Sequence, residues 1–555
     1  METTNMDESI VKLNEHKDEW AQLPIQQKTL LFRQVLKNME EHAQAWVDIA
    51  NRNKGIEADS PWSGEEWFGG ISALASELYG YIETLEGLSE DRLPELKKVW
   101  KNSFDRTVLQ IYPNNKMEAL VLSGITAEAW MQQGVTEENL SEHMAVFYRQ
   151  KNPAGKVALV LGAGNVNCIP LLDAIYRLIA YGQVVLLKIN PINEYLGPIW
   201  EKIFEPFISA GYLRFAYGSA DVGNYLVHHP AIHEIHLTGS ARTHDAIVFG
   251  TGEEGRMRKK RNEPIMKKPI SSELGGVSPL IIVPGNWNER DIQFQAERVV
   301  TTKLHNGGFN CVASQVLVLP EKWELKDKFL DAVRDVFRKL PARSPWYPGS
   351  ADRQKAALAA HPEAETFSDD EVPSTLIADI APDAANESIF NNESFCTVLA
   401  QTSLPGDTPA EFLQHAVAFC NDRLQGTLGA SIIAHPDTVK ELGEALDRAV
   451  ADLRYGAIGV NVWNAMAFTL HQAPWGAFAG HTLDDIQSGM GVVHNTFLLD
   501  KVEKTVVSGS FYSKPKPPWF VTNKTAHITG RRLAYFSIDR KPSRIPGIFM
   551  SALRG

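Results

Sequence analysis

The sequence predicts an α/β protein with parallel sheets, divided into at least two domains. Short apolar runs at 157–161, 184–189 and 234–240 alternate with segments of helical length, and the same alternation returns between residues 279 and 463. Apolar strands separated by helices are typical of βαβ units in sheets covered on both faces. Because 555 residues exceed what one hydrophobic core usually holds, we expect two α/β domains in tandem.

The opening of the chain is helical rather than α/β. From Trp20 to Leu85 the apolar residues recur at helical spacing. The amino terminus lacks the basic and apolar regions of a secretory signal or a transit peptide. No run approaches the roughly 18 apolar residues that a membrane span requires. We therefore expect a soluble protein without a transmembrane segment, located in the cytoplasm.

The charge is distributed unevenly along the chain. A net charge of −12 gives little reason to expect nucleic-acid binding, yet residues 501–555 hold 11 lysines and arginines against two acids. The segment 256–268 is also rich in basic residues. Both segments can be solvated surface, or they can hold an anionic group or partner. For the tail, that partner can be the acidic surface of a neighbouring subunit or anionic lipid at a membrane surface.

The four cysteines have to be judged one by one. They lie far apart without a CxxC pair, which argues against a disulfide framework and a zinc site, so no metal is predicted. Cys311 lies among small residues in HNGGFNCVAS, between a helical stretch and a strand. Such a loop can lower the pKa of a thiol and make it nucleophilic, although a lone cysteine is usually a small core residue.

Two other segments carry polar groups beside glycine-rich turns. In LVLGAGNVNCIP a strand runs into Gly162 and Gly164, but Asn167 stands where a GxGxxG fingerprint needs glycine. Asn165 in this turn can donate to an oxyanion or simply cap the turn. Glu273, followed by two glycines in PISSELGGVSPLIIV, can act as a base or be a surface residue before a turn.

Together these segments resemble the aldehyde dehydrogenase superfamily over roughly residues 20–500. The resemblance rests on ordered motifs, namely GAGNVNCIP, Lys188 in VVLLKINP, Thr238-Gly239-Ser240, Glu273-Leu274-Gly275-Gly276, Gly308-x-x-Cys311, Glu393-x-Phe395, and APWGAFAG before SGMG. It implies a Rossmann-type cofactor domain, an α/β catalytic domain and a small oligomerisation element. The corresponding limits are 1–135 with 156–272 for the cofactor domain, 273–485 for the catalytic domain, 136–155 with 490–515 for the oligomerisation element, and 516–555 for a basic extension.

The resemblance also implies a role for each matching residue. Cys311 becomes the nucleophile, Asn165 the oxyanion donor, with Asn167 the less favoured substitute, and Glu273 the base that activates water. The cofactor, NAD or NADP, would be held by Lys188, Thr238, Gly239, Ser240, Glu393 and Phe395. The reaction is then oxidation of an aldehyde to a carboxylic acid through a thiohemiacetal and a thioester on Cys311.

Several alternatives remain open from the sequence. Cys396-Thr397 replaces the common Gly-Pro after Phe395, and Pro191 stands where NAD-preferring relatives often carry a carboxylate. A CoA-dependent acyl reductase of the same fold would also use Cys311, but Glu273 favours hydrolysis. A catalytically silent binding or structural member is the third hypothesis.

The resemblance further implies partners. Such dehydrogenases commonly form homodimers or homotetramers through a late strand, for which residues 504–513 are the candidate. Trp463, Phe468 and Trp475 lie in the stretch that lines the substrate funnel of relatives, which suggests an apolar or aromatic aldehyde as the small-molecule substrate. The same rings can equally be ordinary core.

Overall fold

Two β-sheets form the framework of the protein, which the computed structural model describes from residue 2 to residue 555. The strands are β1 (Lys98–Lys101), β2 (Thr107–Tyr112), β3 (Thr126–Met131), β4 (Val157–Leu161), β5 (Val184–Lys188), β6 (Leu213–Ala216), β7 (Glu234–Gly239), β8 (Ile270–Leu274), β9 (Ser278–Ile282), β10 (Ser314–Pro320), β11 (Glu365–Thr366), β12 (Thr375–Ile380), β13 (Val398–Leu404), β14 (Gly429–Ile433), β15 (Ala457–Val460), β16 (Gly489–Met490) and β17 (Val502–Ser508).

Helices cover both sheets and form the two ends of the chain. They are α1 (Glu2–Gln22), α2 (Ile25–Asn53), α3 (Ser63–Glu66), α4 (Ala73–Ser89), α5 (Lys116–Val121), α6 (Ile169–Ala180), α7 (Gly197–Ile203), α8 (Glu205–Ser209), α9 (Ala220–His228), α10 (Ala241–Phe249), α11 (Gly252–Arg261), α12 (Glu289–Leu304), α13 (Lys326–Lys339), α14 (Ser350–Ala360), α15 (Ser388–Asn391), α16 (Pro409–Arg423), α17 (Pro436–Leu442), α18 (Glu444–Asp452), α19 (Met466–Thr469), α20 (Ala526–Asp539) and α21 (Ile545–Ala552). A π-helical turn, Trp67–Ser72, joins α3 to α4.

The two sheets are mostly parallel. The smaller has the order β16-β8-β7-β4-β5-β6 and the larger the order β1-β2-β3-β17-β15-β14-β9-β10-β13-β12-β11. Neighbouring strands run parallel from β8 to β6 in the smaller sheet and from β17 to β12 in the larger. Strands β5, β9, β10 and β14 are buried along their whole length, as continuous apolar runs covered on both faces should be. The predicted α/β class is confirmed.

The smaller sheet reverses its direction of growth at β4. The chain adds β5 and then β6 on one side of β4, and β7 then pairs with its other side. In open α/β sheets, ligands bind at the carboxyl ends of the strands where such a reversal opens a crevice. The turn after β4, which carries Asn165, and the Gly239-Ser240 step at the end of β7 both lie at that crevice.

The strand pairing corrects two of the sequence-based domain limits. Strands β1, β2 and β3 fall within 1–135, the range predicted for the cofactor domain, but they belong to the larger sheet because β3 pairs antiparallel with β17. Strand β8 crosses the limit between 272 and 273 and remains in the smaller sheet throughout. The other limits stay predictions.

Strand β17 lies inside the larger sheet. Within the described chain it pairs with β3 on one side and β15 on the other. The stretch 504–513 was expected to join subunits through a strand, yet β17 offers no free edge to a second chain in this arrangement. The edges of the larger sheet are instead β1 and the two-residue β11.

The C-terminal extension packs against the N-terminal helices. A Cβ on Gly64 would lie 2.6 Å from the Ala526 backbone, and a Cβ on Gly530 would lie 2.9 Å from Trp67, so glycine permits close approach of α20 to α3 and the π-helical turn. The hydroxyls of Ser72 and Ser537 hydrogen-bond at 2.9 Å in the same contact. The extension is therefore an integral layer of the fold.

The basic segment 256–268 begins within a helix rather than as a loop. Arg256 and Arg258 pair with acids of the first turn of α11, and Lys259 pairs with Asp245 at 2.7 Å. Lys268 donates to two backbone carbonyls. Much of the local charge is thus used within the fold. Among residues 2–555, no helix is long and apolar enough to span a bilayer.

Candidate active site

Cys311 follows a sharply turned backbone at the end of α12. Asn306, Gly307 and Gly308 have φ values of 55°, 69° and 82°, and a Cβ on Gly308 would lie 2.6 Å from the carbonyl oxygen of Cys396. Asparagine and glycine tolerate the left-handed region, and glycine alone has room at the tightest position. This turn places the partly exposed Cys311 before β10, in the wall of a cavity.

Glu273 faces Cys311 from the smaller sheet. It stands near the end of β8, is buried, and its two carboxyl oxygens have no partner at normal hydrogen-bond distance among the described residues. The Cys311 thiol and the Trp475 indole are polar groups beside it. Burial, reinforced by the charge of Asp173, raises the pKa of Glu273 to about 8.

The same surroundings act on the thiol. Burial, together with the charges of Glu273 and Glu393, raises the pKa of Cys311 well above its usual value. The sequence suggested a lowered pKa from the small residues of the loop, and the structure reverses that expectation because burial and the charges of two carboxyl groups both disfavour the thiolate. Cys311 is therefore a thiol at rest, and Glu273 is the neighbouring group able to accept its proton.

Asn165 contacts the Cys311 loop directly. Its side-chain Nδ2 donates to the carbonyl oxygen of Phe309 at 3.0 Å, and Asn306 Nδ2 donates to the Asn165 carbonyl at 2.9 Å. A primary amide has two N–H donors, so the second can serve an oxyanion at Cys311. Asn167 instead donates to Glu66 at 2.9 Å. The geometry thus favours Asn165 over Asn167 as the oxyanion donor.

Glu393 lies against the glycines that follow Glu273. A Cβ on Gly275 would be 2.3 Å from a Glu393 carboxyl oxygen, and that oxygen is buried without a partner in the described part of the chain. Burial raises the pKa of Glu393 to about 8, opposed by the charges of Lys303 and Arg353. This oxygen is therefore suited to accept a hydrogen bond from a hydroxyl of a ribose.

Phe395 is part of a small aromatic group beside the Cys311 loop. Its ring centroid lies 4.8 Å from that of Tyr347 and 5.9 Å from that of Phe309. The backbone φ of Phe395 is 40°, an uncommon value for a bulky residue. Such strain at a site residue is consistent with a functional constraint.

The crevice of the smaller sheet presents the remaining predicted cofactor residues. Gly239 and Ser240 are exposed at the amino end of α10, whose backbone N–H groups and dipole favour a phosphate. Lys188 ends β5 and is largely buried, and burial lowers its pKa. Thr238 is different, because its hydroxyl turns inward and donates to Asp173 at 2.7 Å. These residues fit a dinucleotide, with Thr238 supporting the strand end.

Sequence reasoning missed a carboxylate beside Lys188. Glu194 follows β5 by one short turn, its charge acts on Lys188, and its Oε1 accepts a hydrogen bond of 2.6 Å from the backbone of Gly218. A carboxylate at this edge can accept from the hydroxyls of an adenosine ribose. The expected position held Pro191, so no local signal pointed to Glu194.

The three predicted substrate-pocket rings all line the cavity that reaches Cys311. Trp475 is buried, and its ring centroid lies 5.5 Å from that of Phe468. Trp463 donates from Nε1 to the carbonyl of Val312, the residue after the nucleophile, at 3.1 Å. The structure therefore brings these rings together with Cys311.

A buried polar network behind the Cys311 loop was also missed. Lys54 Nζ donates to Glu66 at 3.0 Å and to the Asn306 side chain at 3.3 Å. Glu66 accepts from Asn167 as well, so both asparagines of the turn after β4 are tied to this network, one of them through Asn306. Lys54 and Glu66 lie in no recognised motif, so only their contacts in the structure identify them as part of this network.

A second missed cluster lies behind Glu273. His236 Nε2 and His494 Nε2 lie 3.6 Å and 3.8 Å from Asp173 Oδ1, all three groups being buried. Burial acts to raise the pKa of Asp173, but the neighbouring His236 and His494 hold it below its usual value. The Asp173 carboxylate is the charge that acts on Glu273. Within residues 2–555, no group of three or more acidic, histidine or cysteine residues has the geometry to hold a metal ion.

The chain is similar in sequence to known aldehyde dehydrogenases. The sequence model described as "Aldehyde dehydrogenase family" matches residues 116–368. Aldehyde dehydrogenase family 3 member A2 from Rattus norvegicus is 22% identical over 375 residues, covering 66% of this chain and 69% of the relative. D-glyceraldehyde dehydrogenase (NADP(+)) from Thermoplasma acidophilum is 26% identical over 216 residues, and the match spans only 38% of this chain and 39% of that relative.

Solved structures share the fold over nearly the whole chain. A mutant of aldehyde dehydrogenase C from Pseudomonas syringae, in complex with NAD+ and octanal, has a TM-score of 0.62 at 15% identity, covering 92% of this chain and 89% of that one. An NADP-dependent enzyme from E. coli has a TM-score of 0.61 at 17% identity, covering 92% and 91%.

Proposed function

We infer from the family model and the curated relatives that the chain is a member of the aldehyde dehydrogenase superfamily, an oxidoreductase that acts on aldehydes. The solved structures share its fold. On this premise we propose that the protein oxidises an aldehyde to a carboxylic acid through Cys311. NAD or NADP is the electron acceptor, and among the solved structures that share the fold one holds NAD+ and another is an NADP-dependent enzyme. The observation that carries the proposal is the Glu273 carboxyl beside the Cys311 thiol, with the Asn165 amide hydrogen-bonded to the Cys311 loop.

The first chemical step is attack of the Cys311 sulfur on the aldehyde carbon. Glu273 accepts the thiol proton, because it is the carboxyl group that faces the sulfur. The resulting oxyanion is stabilised by the free N–H of the Asn165 amide and by the backbone N–H of Cys311. A bound nicotinamide cofactor would supply the hydride acceptor, after which Cys311 would carry the acyl group as a thioester.

Hydrolysis of the thioester returns the enzyme to its starting state. Glu273 first releases the thiol proton to solvent, and it can then take the proton of the water that attacks the thioester carbon. The Cys311 sulfur leaves as the carboxylic acid forms, and the proton on Glu273 passes to that sulfur. A buried carboxyl with a pKa near 8 is a good base for this step, since its strength is close to the working pH. Lys188, Gly239, Ser240 and Glu393 are proposed to hold the cofactor.

One assay separates this proposal from its rivals. Purified protein is given aldehydes with NAD or NADP, with and without CoA, while absorbance of the reduced cofactor is followed. Cofactor reduction without CoA, lost in Cys311→Ala, supports hydrolytic oxidation. Strict dependence on CoA would assign an acyl reductase, which the Gly164-Asn165-Val166 turn also resembles, and no turnover with any aldehyde would assign a silent member.

A further inference from the structure

A single cavity connects Cys311 with the C-terminal extension. Its volume is about 650 Å³, within the range of about 300–1,000 Å³ that small-molecule sites occupy. Its wall includes Cys311, Trp463 and Phe468, together with residues of α5 and α21. Neither helix carries a residue that the proposed chemistry uses, so this part of the wall is available to contact the rest of the substrate.

Helix α21 presents one apolar face to this cavity. Ile545, Ile548, Phe549 and Ala552 line it at the spacing of a single helical face. The opposite side of the helix faces solvent, as shown by Met550, which is 56% exposed. The inner face is only half-buried at its first three positions. An apolar ligand bound in the cavity would therefore bury the inner-face side chains that the protein leaves partly exposed.

Helix α5 borders the cavity in the same way. Met117, Leu120 and Val121 again have the spacing of one helical face, and all three line the cavity. Met117 and Leu120 are 38% and 51% exposed, an unusual state for large apolar side chains next to a cavity. Two apolar helical faces thus flank the far part of the cavity.

The acidic groups near Cys311 in the cavity wall are already paired. Lys54 pairs with Glu66 at 3.0 Å, and Arg343 pairs with Glu65 at 2.7 Å. Charges that are already paired attract a further charged ligand only weakly, because each charge is largely neutralised by its partner. The route from Cys311 outward is therefore suited to an uncharged chain.

Two arginines in the cavity wall suggest a different substrate, an aldehyde with an acidic far end. Arg540 lies over the Tyr79 ring at 4.8 Å, with the charge of Glu83 near it. Arg298 is buried and donates from Nη2 to two backbone carbonyls, but its Nη1 has no partner among the described residues. An aldehyde with an acidic far end would use one of these groups, so the experiment has to include such a compound.

We propose that the substrate is a long unbranched aliphatic aldehyde, whose alkyl chain lies between α5 and α21, and that Ile548 and Phe549 set the longest chain accepted. The inference rests on the proposed function, because it concerns what Cys311 oxidises. Each methylene buried in such a cavity raises kcat/KM about fourfold, until the chain reaches the end of the cavity.

The test uses the full-length protein and a series of straight aldehydes from butanal to hexadecanal. In the unchanged protein, kcat/KM should rise with chain length and then level off. Ile548→Trp fills the cavity from its far wall, so activity on butanal should stay within about twofold while activity on dodecanal falls about 100-fold, the equivalent of several methylenes. Met550→Trp, on the outer face of the same helix, is the matched control and should leave the series unchanged.

A second variant keeps the proposal testable if Ile548→Trp fails to fold. Phe549→Ala enlarges the far end, so the preferred chain should become longer while butanal oxidation is retained. Retained butanal oxidation also shows that each variant is folded. Loss of all turnover in the unchanged protein, butanal included, would instead defeat the proposed function itself.

Three results would overturn the inference while leaving the proposed function intact. One is a kcat/KM that does not change with chain length. Another is an equal effect of Ile548→Trp and Met550→Trp on dodecanal. The third is a preference for straight aldehydes that end in a carboxylate, lost in Arg298→Gln or in Arg540→Gln, which would assign the far end to an anionic group.

Discussion

The two sides of Cys311 are built in different ways. On one side, Glu273, Asn165 and Glu393 stand at strand ends and tight turns, where a few consecutive residues fix the position of each group. On the other side, the cavity is bordered by α5, α19 and α21, which come from widely separated parts of the chain. In the proposed function, the first side carries the chemistry common to any aldehyde. The second contacts only the rest of the substrate, so changes there should depend on which aldehyde is offered.

Replacement of the nucleophile should have the largest effect on turnover, and the effect should be the same for every aldehyde. We expect Cys311→Ala to lower kcat/KM by about 10⁴-fold or more, equally for butanal and dodecanal, because no other group can form the thioester. Cofactor reduction followed by absorbance measures the loss. Cys420→Ala, which removes a buried thiol of α16, is the control and should retain turnover. Substantial activity in Cys311→Ala would remove the basis of the mechanism.

Replacement of the base should slow both halves of the reaction. In Glu273→Gln, attack by the thiol and hydrolysis of the thioester should each slow by about 10²- to 10⁴-fold, because both the thiol and the attacking water lose their proton acceptor. Cofactor reduction in a single turnover measures the first half, and the decay of the acyl group on Cys311, followed by mass spectrometry, measures the second. If steady turnover were unchanged, Glu273 would not be the base for hydrolysis.

The pH dependence tests the same carboxyl in the unchanged protein. Burial raises the pKa of Glu273 to about 8, and a base must be ionised to accept a proton. The ionised fraction increases as the pH rises through about 8, so kcat should increase between roughly pH 7 and pH 9. Glu273→Gln should lose this rise. A flat profile in both proteins would show that another group limits turnover.

The contrast between the two sides also explains what could be predicted from the sequence. The α/β class followed from buried runs such as VVLLK and SPLII, whose character is set by neighbours within the run. Cys311, Glu273 and Asn165 stood out beside glycine-rich turns, and their roles followed from the resemblance of the ordered motifs to the aldehyde dehydrogenase superfamily. The raised pKa of Cys311 could not be predicted, since it depends on burial and on the charges of Glu273 and Glu393, which come from other elements.

Features that depend on distant packing could not be predicted. The interior position of β17 follows from its pairing with β3, nearly four hundred residues away in the chain. The inward turn of the Thr238 hydroxyl depends on Asp173, a helix residue with no motif. The inner face of α21 has helical spacing, but the sequence does not show what lies opposite it.

Replacement of Glu194 tests whether the side of Cys311 that carries the sequence motifs also depends on a residue outside any motif. Its carboxylate lies near Lys188, where the ribose that distinguishes NAD from NADP would bind, and a negative charge there disfavours a phosphate. We expect Glu194→Gln to shift the ratio of kcat/KM values from NAD toward NADP by about tenfold, the equivalent of one charge-assisted hydrogen bond. The shift should be the same for every aldehyde. Glu201→Gln, in α7, is the control and should leave the ratio unchanged.

The smallest expected effect lies on the cavity side, at Phe468. Its ring contacts Trp475 and lines the route from Cys311 toward α21, so an alkyl chain would pass beside it. Removing one aromatic contact costs roughly 0.5–1.5 kcal/mol, which lowers kcat/KM by about three- to tenfold. We expect Phe468→Ala to show this loss with dodecanal and almost none with an aldehyde as short as ethanal, which ends before the ring. An equal loss with both aldehydes, measured in parallel with NAD, would place Phe468 with the catalytic groups and erase the distinction between the two sides of Cys311.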